Sequence, residues 1–128
     1  MVQITRLSPQ HWVPDVIETA EFYRDVLGFS FTSFFGDPPG FVILDRDGAR
    51  LMFRTASAGR PPTPSNWTKP GDLTDIYFYV EDVDALAAEL RGKGAEIVRE
   101  PAPQEYAIRE LHVRDCNGRV LCFGQVMG

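Results

Sequence analysis

Trp12, Tyr77 and Tyr79 stand at alternate positions of apolar, strand-forming runs, and Ser8, Gln10, Met52, Arg54, Asp75 and Cys122 share their parity. Residues two apart on a strand project from the same side of a sheet. That side offers rings to stack on, hydroxyls to orient a guest and a few charged groups, the composition of a pocket for a flat or partly aromatic molecule. A dimer interface favours the same residue types, and the two uses are compatible. Trp67, in a stretch rich in Pro, Gly and Ser, is a second kind of candidate: a large aromatic placed as a lid or a partner contact. Phe35, at the edge of a predicted strand, is a weaker instance of the same thing.

Other chemistries lack their residues at useful spacing. There is no Ser/His/Asp arrangement, no glycine-rich phosphate loop and no paired-carboxylate acid/base unit. Alternation places His11 on the opposite side from Ser8, towards the following helix, and His112 on or near the sheet face of the second half. Each is expected to be a hydrogen-bonded structural histidine. Cys122 is the one candidate nucleophile on the aromatic face; it sits within a strand without a base evident nearby and reads as a small buried residue.

The elements that position these residues repeat. In the first half a strand at 4–13, interrupted by Pro9, leads through Pro14 to Asp15, which can accept the free amides of a helix start, with Glu18 at capping-box spacing. Val16, Ala20, Tyr23 and Leu27 give that helix an apolar stripe, and Gly28 ends it. Strands at 29–35, 41–44 and 49–54 follow, the last two joined by Asp45-Arg46-Asp47-Gly48. The second half restarts with a strand at 73–80; Asp82 caps a helix whose stripe is Val83, Leu86, Ala87 and Leu90. Strands at 95–98, 106–113 and 120–126 complete it, with Asp115-Cys116-Asn117-Gly118 as the last turn. Asp15 and Asp82, Val16 and Val83, and Ala20 and Ala87 are each separated by the same interval, so the chain is an internal repeat. The expected fold is α+β: a first module at about 4–56, a linker at 57–71 and a second module at about 72–126. One helix covers one face of each sheet, and the other face is left for solvent, a partner or a shared hollow.

A chain of 128 residues with 44% apolar residues and nine Phe can build a core without disulfide or metal support. No apolar run approaches the ~20 residues that span a bilayer, and the first residues lack the basic head and apolar stretch of a signal peptide, so a cytoplasmic protein is expected. The net charge of -5 speaks against nucleic acid. It is compatible with a cationic ligand, although mild acidity mostly serves solubility. Cys116 and Cys122 suit a reducing compartment and form no CxxC pair.

The stretches DVIETAEFYRDVLGF, DIYFYVEDVDALAAEL and RELHVRDCNGRVLCFG together resemble the vicinal oxygen chelate superfamily, which includes glyoxalases, extradiol dioxygenases and bleomycin-resistance proteins. The resemblance implies two βαβββ modules whose sheets curl around a cleft. In the family's metalloenzymes it implies a metal held by the first and last strands of each module. Carried onto this chain, those positions are Ser8, Arg54, Asp75 and Cys122. A guanidinium has no lone pair to give a metal, and one carboxylate and one thiol are too few ligands. The expectation is therefore no metal, no cofactor and no catalytic residue, with Arg54 ion-paired to Asp75. Arg109-Glu110 resembles a pair found before the final strand in the drug-resistance branch, or is an ordinary exposed strand pair. The function this implies is non-catalytic sequestration of an antibiotic-like aromatic or cationic compound by a homodimer. The alternative is a metal-dependent lyase or dioxygenase of the same superfamily.

Overall fold

The computed structural model describes residues 1–57, 62 and 64–128, and part of the expected linker lies outside them. The first unit holds β1 (Gln10–Val13), α1 (Val16–Asp25), β2 (Phe34–Phe35), β3 (Phe41–Arg46) and β4 (Ala49–Thr55). The second holds a single 3-10 turn (Asn66–Thr68), β5 (Ile76–Tyr79), α2 (Val83–Gly92), β6 (Glu96–Pro103), β7 (Ile108–Arg114) and β8 (Val120–Val126). Each is a βαβββ module with a four-stranded sheet, ordered β1-β4-β3-β2 in one and β5-β8-β7-β6 in the other. In both, the first strand lies parallel to the last, and the remaining neighbours are antiparallel. Neither helix is long and apolar enough to cross a membrane.

The helix starts use the expected acids. Asp15 accepts the Ile17 amide at 2.8 Å and Asp82 accepts the Ala85 amide at 3.0 Å, satisfying donors that the helix itself cannot. Val16, Ala20 and Tyr23 of α1 are fully buried, as are Val42, Leu44, Leu51 and Phe53 of β3 and β4. In the second unit Val83, Leu90, Leu111, Val113 and Leu121 form the corresponding core. The alternation that separates a core side from an open side holds along β3 and β4, whereas β7 and β8 are buried on both faces over much of their length.

The strand expected at 73–80 is shortened to Ile76–Tyr79, and three further elements differ from the sequence expectation for identifiable reasons. The first strand begins only at Gln10: Pro9 has no amide to give a ladder, although its carbonyl accepts the Met52 amide at 3.0 Å. The strand expected at 29–35 shortens to Phe34–Phe35, preceded by an isolated Ser30–Asp45 bridge. The strand expected at 95–98 runs instead through Pro101 to Pro103. It can do so because β6 is an edge strand and its pairing with β7 slips twice, so neither proline has to supply a donor in mid-sheet.

Candidate functional site

The last hairpin positions the chemistry of the second unit. Asp115 Oδ1 accepts the amides of Asn117 and Arg119 at 2.8 and 2.9 Å, and Gly118 takes the left-handed conformation (φ +81°) that closes the turn. This register sets His112 of β7 opposite Cys122 of β8, with Tyr77 of β5 on the other side of Cys122 and Arg99 of β6 on the other side of His112. One row along, Glu110 faces Gly124, which faces Tyr79. Glu110, His112 and Cys122 are all buried, and their donor atoms lie within 4.8 Å of one another.

Glu110 is held from one side. Its Oε2 accepts hydrogen bonds from the Tyr77 and Tyr106 hydroxyls, both at 2.6 Å. Gly124 makes this possible, because a Cβ there would come within 2.2 Å of the Tyr77 hydroxyl oxygen. Glu110 Oε1 is left facing His112 Nε2 at 3.5 Å, the outer limit of a hydrogen bond. Burial alone would raise the Glu110 pKa, but the hydrogen bonds from Tyr106, Tyr77 and His112 outweigh it and keep the group below its ordinary value as a carboxylate. Burial and the Glu110 charge push the Cys122 thiol up to about 12. Tyr106 is pushed up to about 12, mainly by its hydrogen bond to Glu110, and Tyr77 is raised by burial and then by the same acceptor. Both tyrosines thus remain donors at neutral pH.

These residues fit a metal ion. Bonds of about 2.0–2.3 Å to one ion place tetrahedral donors roughly 3.3–3.8 Å apart; the Glu110–His112 contact of 3.5 Å falls in that range, and the whole set lies within 4.8 Å, a small side-chain adjustment from it. Nε2 is the His112 nitrogen on the Glu110 side, and Nδ1 is buried without a hydrogen-bond partner among the described residues. One nitrogen, one carboxylate oxygen and one sulfur make a three-ligand set that leaves coordination positions for water or substrate.

Trp67 is not the exposed loop aromatic that its surroundings predict. It lies half-buried in the 3-10 turn, edge-on to His112 (5.5 Å between ring centroids, 85°), with the Arg99 guanidinium over its own ring at 5.0 Å. Asp75 anchors this turn. It accepts the Ser65 hydroxyl at 2.5 Å, the Asn66 amide at 2.7 Å and the Val120 amide at 2.9 Å, and Arg119 lies 3.9 Å away. The expected Arg54–Asp75 ion pair is thereby corrected: the Asp75 side chain is buried and committed to Ser65, Asn66, Val120 and Arg119.

In the first unit, register sets Trp12, Arg54, Phe41 and Phe35 in one row across β1, β4, β3 and β2, with Gln10, Met52 and Ile43 in the next. A recess of about 130 Å³ is lined there by Gln10, His11, Trp12, Phe41, Met52 and Arg54. Arg54 Cζ lies 4.9 Å over the Phe41 ring. Ser8 precedes β1 and does not line the recess. Tyr77 and Tyr79 belong to the second unit and approach each other with ring centroids 5.1 Å apart.

The glyoxalase/bleomycin resistance protein/dioxygenase superfamily model matches residues 7–123. This chain belongs to that superfamily. A curated relative, 4-hydroxyphenylpyruvate dioxygenase of Xenopus tropicalis, is 31% identical over 101 residues, covering 73% of this chain but 26% of that protein. The chain thus spans about a quarter of that relative's length. Among solved structures, TioX from Micromonospora sp. ML1 superposes with a TM-score of 0.74 at 22% identity, over 96% of this chain and 99% of that one. A glyoxalase-related enzyme from Clostridium phytofermentans superposes with a TM-score of 0.78 at 14% identity, over 98% of each chain. At such identities these two likenesses concern the fold.

The expectation of a non-catalytic sequestration protein is overturned by the Glu110–His112–Cys122 cluster and the dioxygenase relative, which favour the metal-dependent alternative. Sequence alone reads Cys122 as a small buried residue on the ligand face, His112 as a structural histidine, and Glu110 as half of an Arg-Glu pair that either resembles the drug-resistance branch or is an ordinary exposed strand pair. Only counting outward from the Asp115–Gly118 turn, which sets His112 opposite Cys122 with Glu110 two residues back, could have brought the three together from sequence.

Proposed function

We propose that this chain is a metal-dependent enzyme of the dioxygenase kind, with its ion held by Glu110, His112 and Cys122. The observation carrying this reading is the convergence of three buried donors of different chemistry within 4.8 Å. When bound, the ion would supply a Lewis acid able to polarise an oxygen-bearing substrate. The dioxygenase relative supports oxygenation as the reaction class.

The chain's own residues have separable tasks. Tyr77 and Tyr106 fix the Glu110 carboxylate by one oxygen and leave the other towards His112. Trp67 covers the His112 ring and limits water at its edge. Tyr79, largely exposed beside Tyr77, supplies a face on which a planar substrate can stack. Exposed Leu73 and Tyr79 are consistent with the expected homodimer, which sedimentation would test.

The test is stoichiometry. Metal-free protein titrated separately with Fe(II), Mn(II), Co(II) and Zn(II) should bind one equivalent per chain of at least one of them, with a thiolate-to-metal charge-transfer band for Co(II). Glu110→Gln, His112→Ala and Cys122→Ser should each weaken binding at least tenfold. Three variants that bind as the parent does would end the reading. Consumption of dioxygen with a planar substrate separates a dioxygenase from a lyase, which turns over without it.

A further inference from the structure

The first unit carries a cation whose role the metal centre does not absorb. Arg50, Arg109 and Arg114 are matched to carboxylates at the surface. Arg54 is exposed and has no carboxylate partner among the described residues; its guanidinium rests on the Phe41 ring. A guanidinium that stacks uses its flat face, and its N–H groups lie in its plane and stay available at the edge. Register places the half-exposed indole of Trp12 beside Arg54 on one side and Phe41, then Phe35, on the other. Below this row, Gln10 adds an amide and Met52 an adaptable apolar floor to the same recess.

We propose that this recess is a binding site for a planar monocarboxylate, its acid group taken bidentately by Arg54 and its ring laid against Trp12. The two parts of the ligand answer two parts of the site. A carboxylate matches the fork of an arginine better than any neutral acceptor, and the bond is charge-assisted. An aromatic body matches the indole face, and about 130 Å³ accommodates the acid end and one ring of a ligand whose remainder stays in water. A cationic ligand would meet a like charge at Arg54. Gln10, opposite Met52 and next to the Trp12 row, is the neutral donor and acceptor for a second polar substituent. The site needs nothing from Glu110, His112 or Cys122, so it stands or falls apart from the metal reading.

Calorimetric titration with 2-naphthoate, 2-naphthamide and 2-naphthylmethylamine tests it, with chelator present so that no ion can take the acid. A Trp67→Phe background leaves Trp12 as the remaining tryptophan, and its fluorescence reports ring stacking. The expected result is saturable binding of the acid, at least tenfold weaker binding of the amide and none of the amine. Arg54→Gln should cost tenfold or more, Arg54→Lys less, and Trp12→Ala should remove the fluorescence change and weaken the acid. Glu110→Gln should leave the acid's affinity unchanged. Equal binding of acid and amide would overturn the proposal. So would an unchanged Arg54→Gln variant, an acid that does not saturate, or loss of binding as the chain self-associates, which would make this face an interface between copies.

Discussion

Gly124→Ala is the sharpest probe of how the Glu110–His112–Cys122 face is built. The new Cβ would lie 2.2 Å from the Tyr77 hydroxyl oxygen, 2.8 Å from Tyr77 Cζ and 2.9 Å from Ile108 Cγ2. No side chain tolerates such contacts, but two of the three atoms are the far end of one side chain that can swing outward. The backbone therefore stays, Tyr77 leaves, and its 2.6 Å hydrogen bond to Glu110 is lost. A hydrogen bond to a charged group contributes ~1.5–3 kcal/mol, and the adjustment of Ile108 adds about 1 kcal/mol of overpacking. Tyr77→Phe removes the same hydrogen bond without adding an atom, at a cost of ~1.5–3 kcal/mol. Because the bond can be lost only once, the double variant should fall short of the sum of the singles by roughly that amount. The assay is the free energy of unfolding of the four metal-free proteins by denaturant, with Co(II) binding of each as a separate check on the site. Additive effects, within about 0.5 kcal/mol, would show that Gly124 and Tyr77 act independently and refute the steric argument.

Other outcomes follow from the same geometry. A metal that uses Cys122 must displace its proton, and with the thiol pushed up to about 12 every ion bound below that pH releases one. Affinity should therefore rise about tenfold per pH unit between roughly pH 6 and 8, and Cys122→Ser should flatten the slope. Glu110 has a folded pKa below its ordinary 4.5, so its ionised form favours the fold; that contribution is complete above about 4.5 and is lost as pH falls through the lowered value. Thermal midpoints of the parent should therefore drop more steeply in acid than those of Glu110→Gln. Asp75→Ala strands the Asn66 and Val120 amides and removes the carboxylate beside Arg119, for a loss of about 2–4 kcal/mol. It should also free the 3-10 turn, read as a red shift of Trp67 emission in a Trp12→Phe background, whereas Asp75→Asn should retain part of both.

The fold was legible because its signals are local. Asp15 and Asp82 cap helices through bonds to amides two and three residues away, and the stripes Val16–Ala20–Tyr23 and Val83–Leu90 need only helical period to be read. Strand parity likewise sorted Phe53 and Leu121 from Arg54 and Tyr77 correctly, since alternation survives whatever the sheet pairs with. It failed at β6, where Pro101 and Pro103 look like a break and are tolerated only because no further strand pairs on that side. Edge position is a tertiary fact and leaves no mark on the strand itself.

The site was less legible because its ligands come from pairing between strands. Mapping the superfamily's ligand places onto first and last strands gave Ser8, Arg54, Asp75 and Cys122, of which only Cys122 joins the donor cluster. Asp75 is the instructive case: a carboxylate at an expected ligand position is committed to Ser65, Asn66 and Val120, which fill three of its acceptor sites, with Arg119 beside Oδ1. Its work is to hold the turn that lays Trp67 on His112. The two residues that replace it, Glu110 and His112, sit two apart on β7 and differ from any solvent-facing Glu-x-His only in what lies across the hairpin. Burial does the rest, since a carboxylate fixed by two tyrosines and a ring nitrogen without a partner have no solvent to satisfy them. The chemistry we propose for this chain thus depends on a register, His112 against Cys122, which the Asp115–Gly118 turn enforces and which a one-residue slip would abolish.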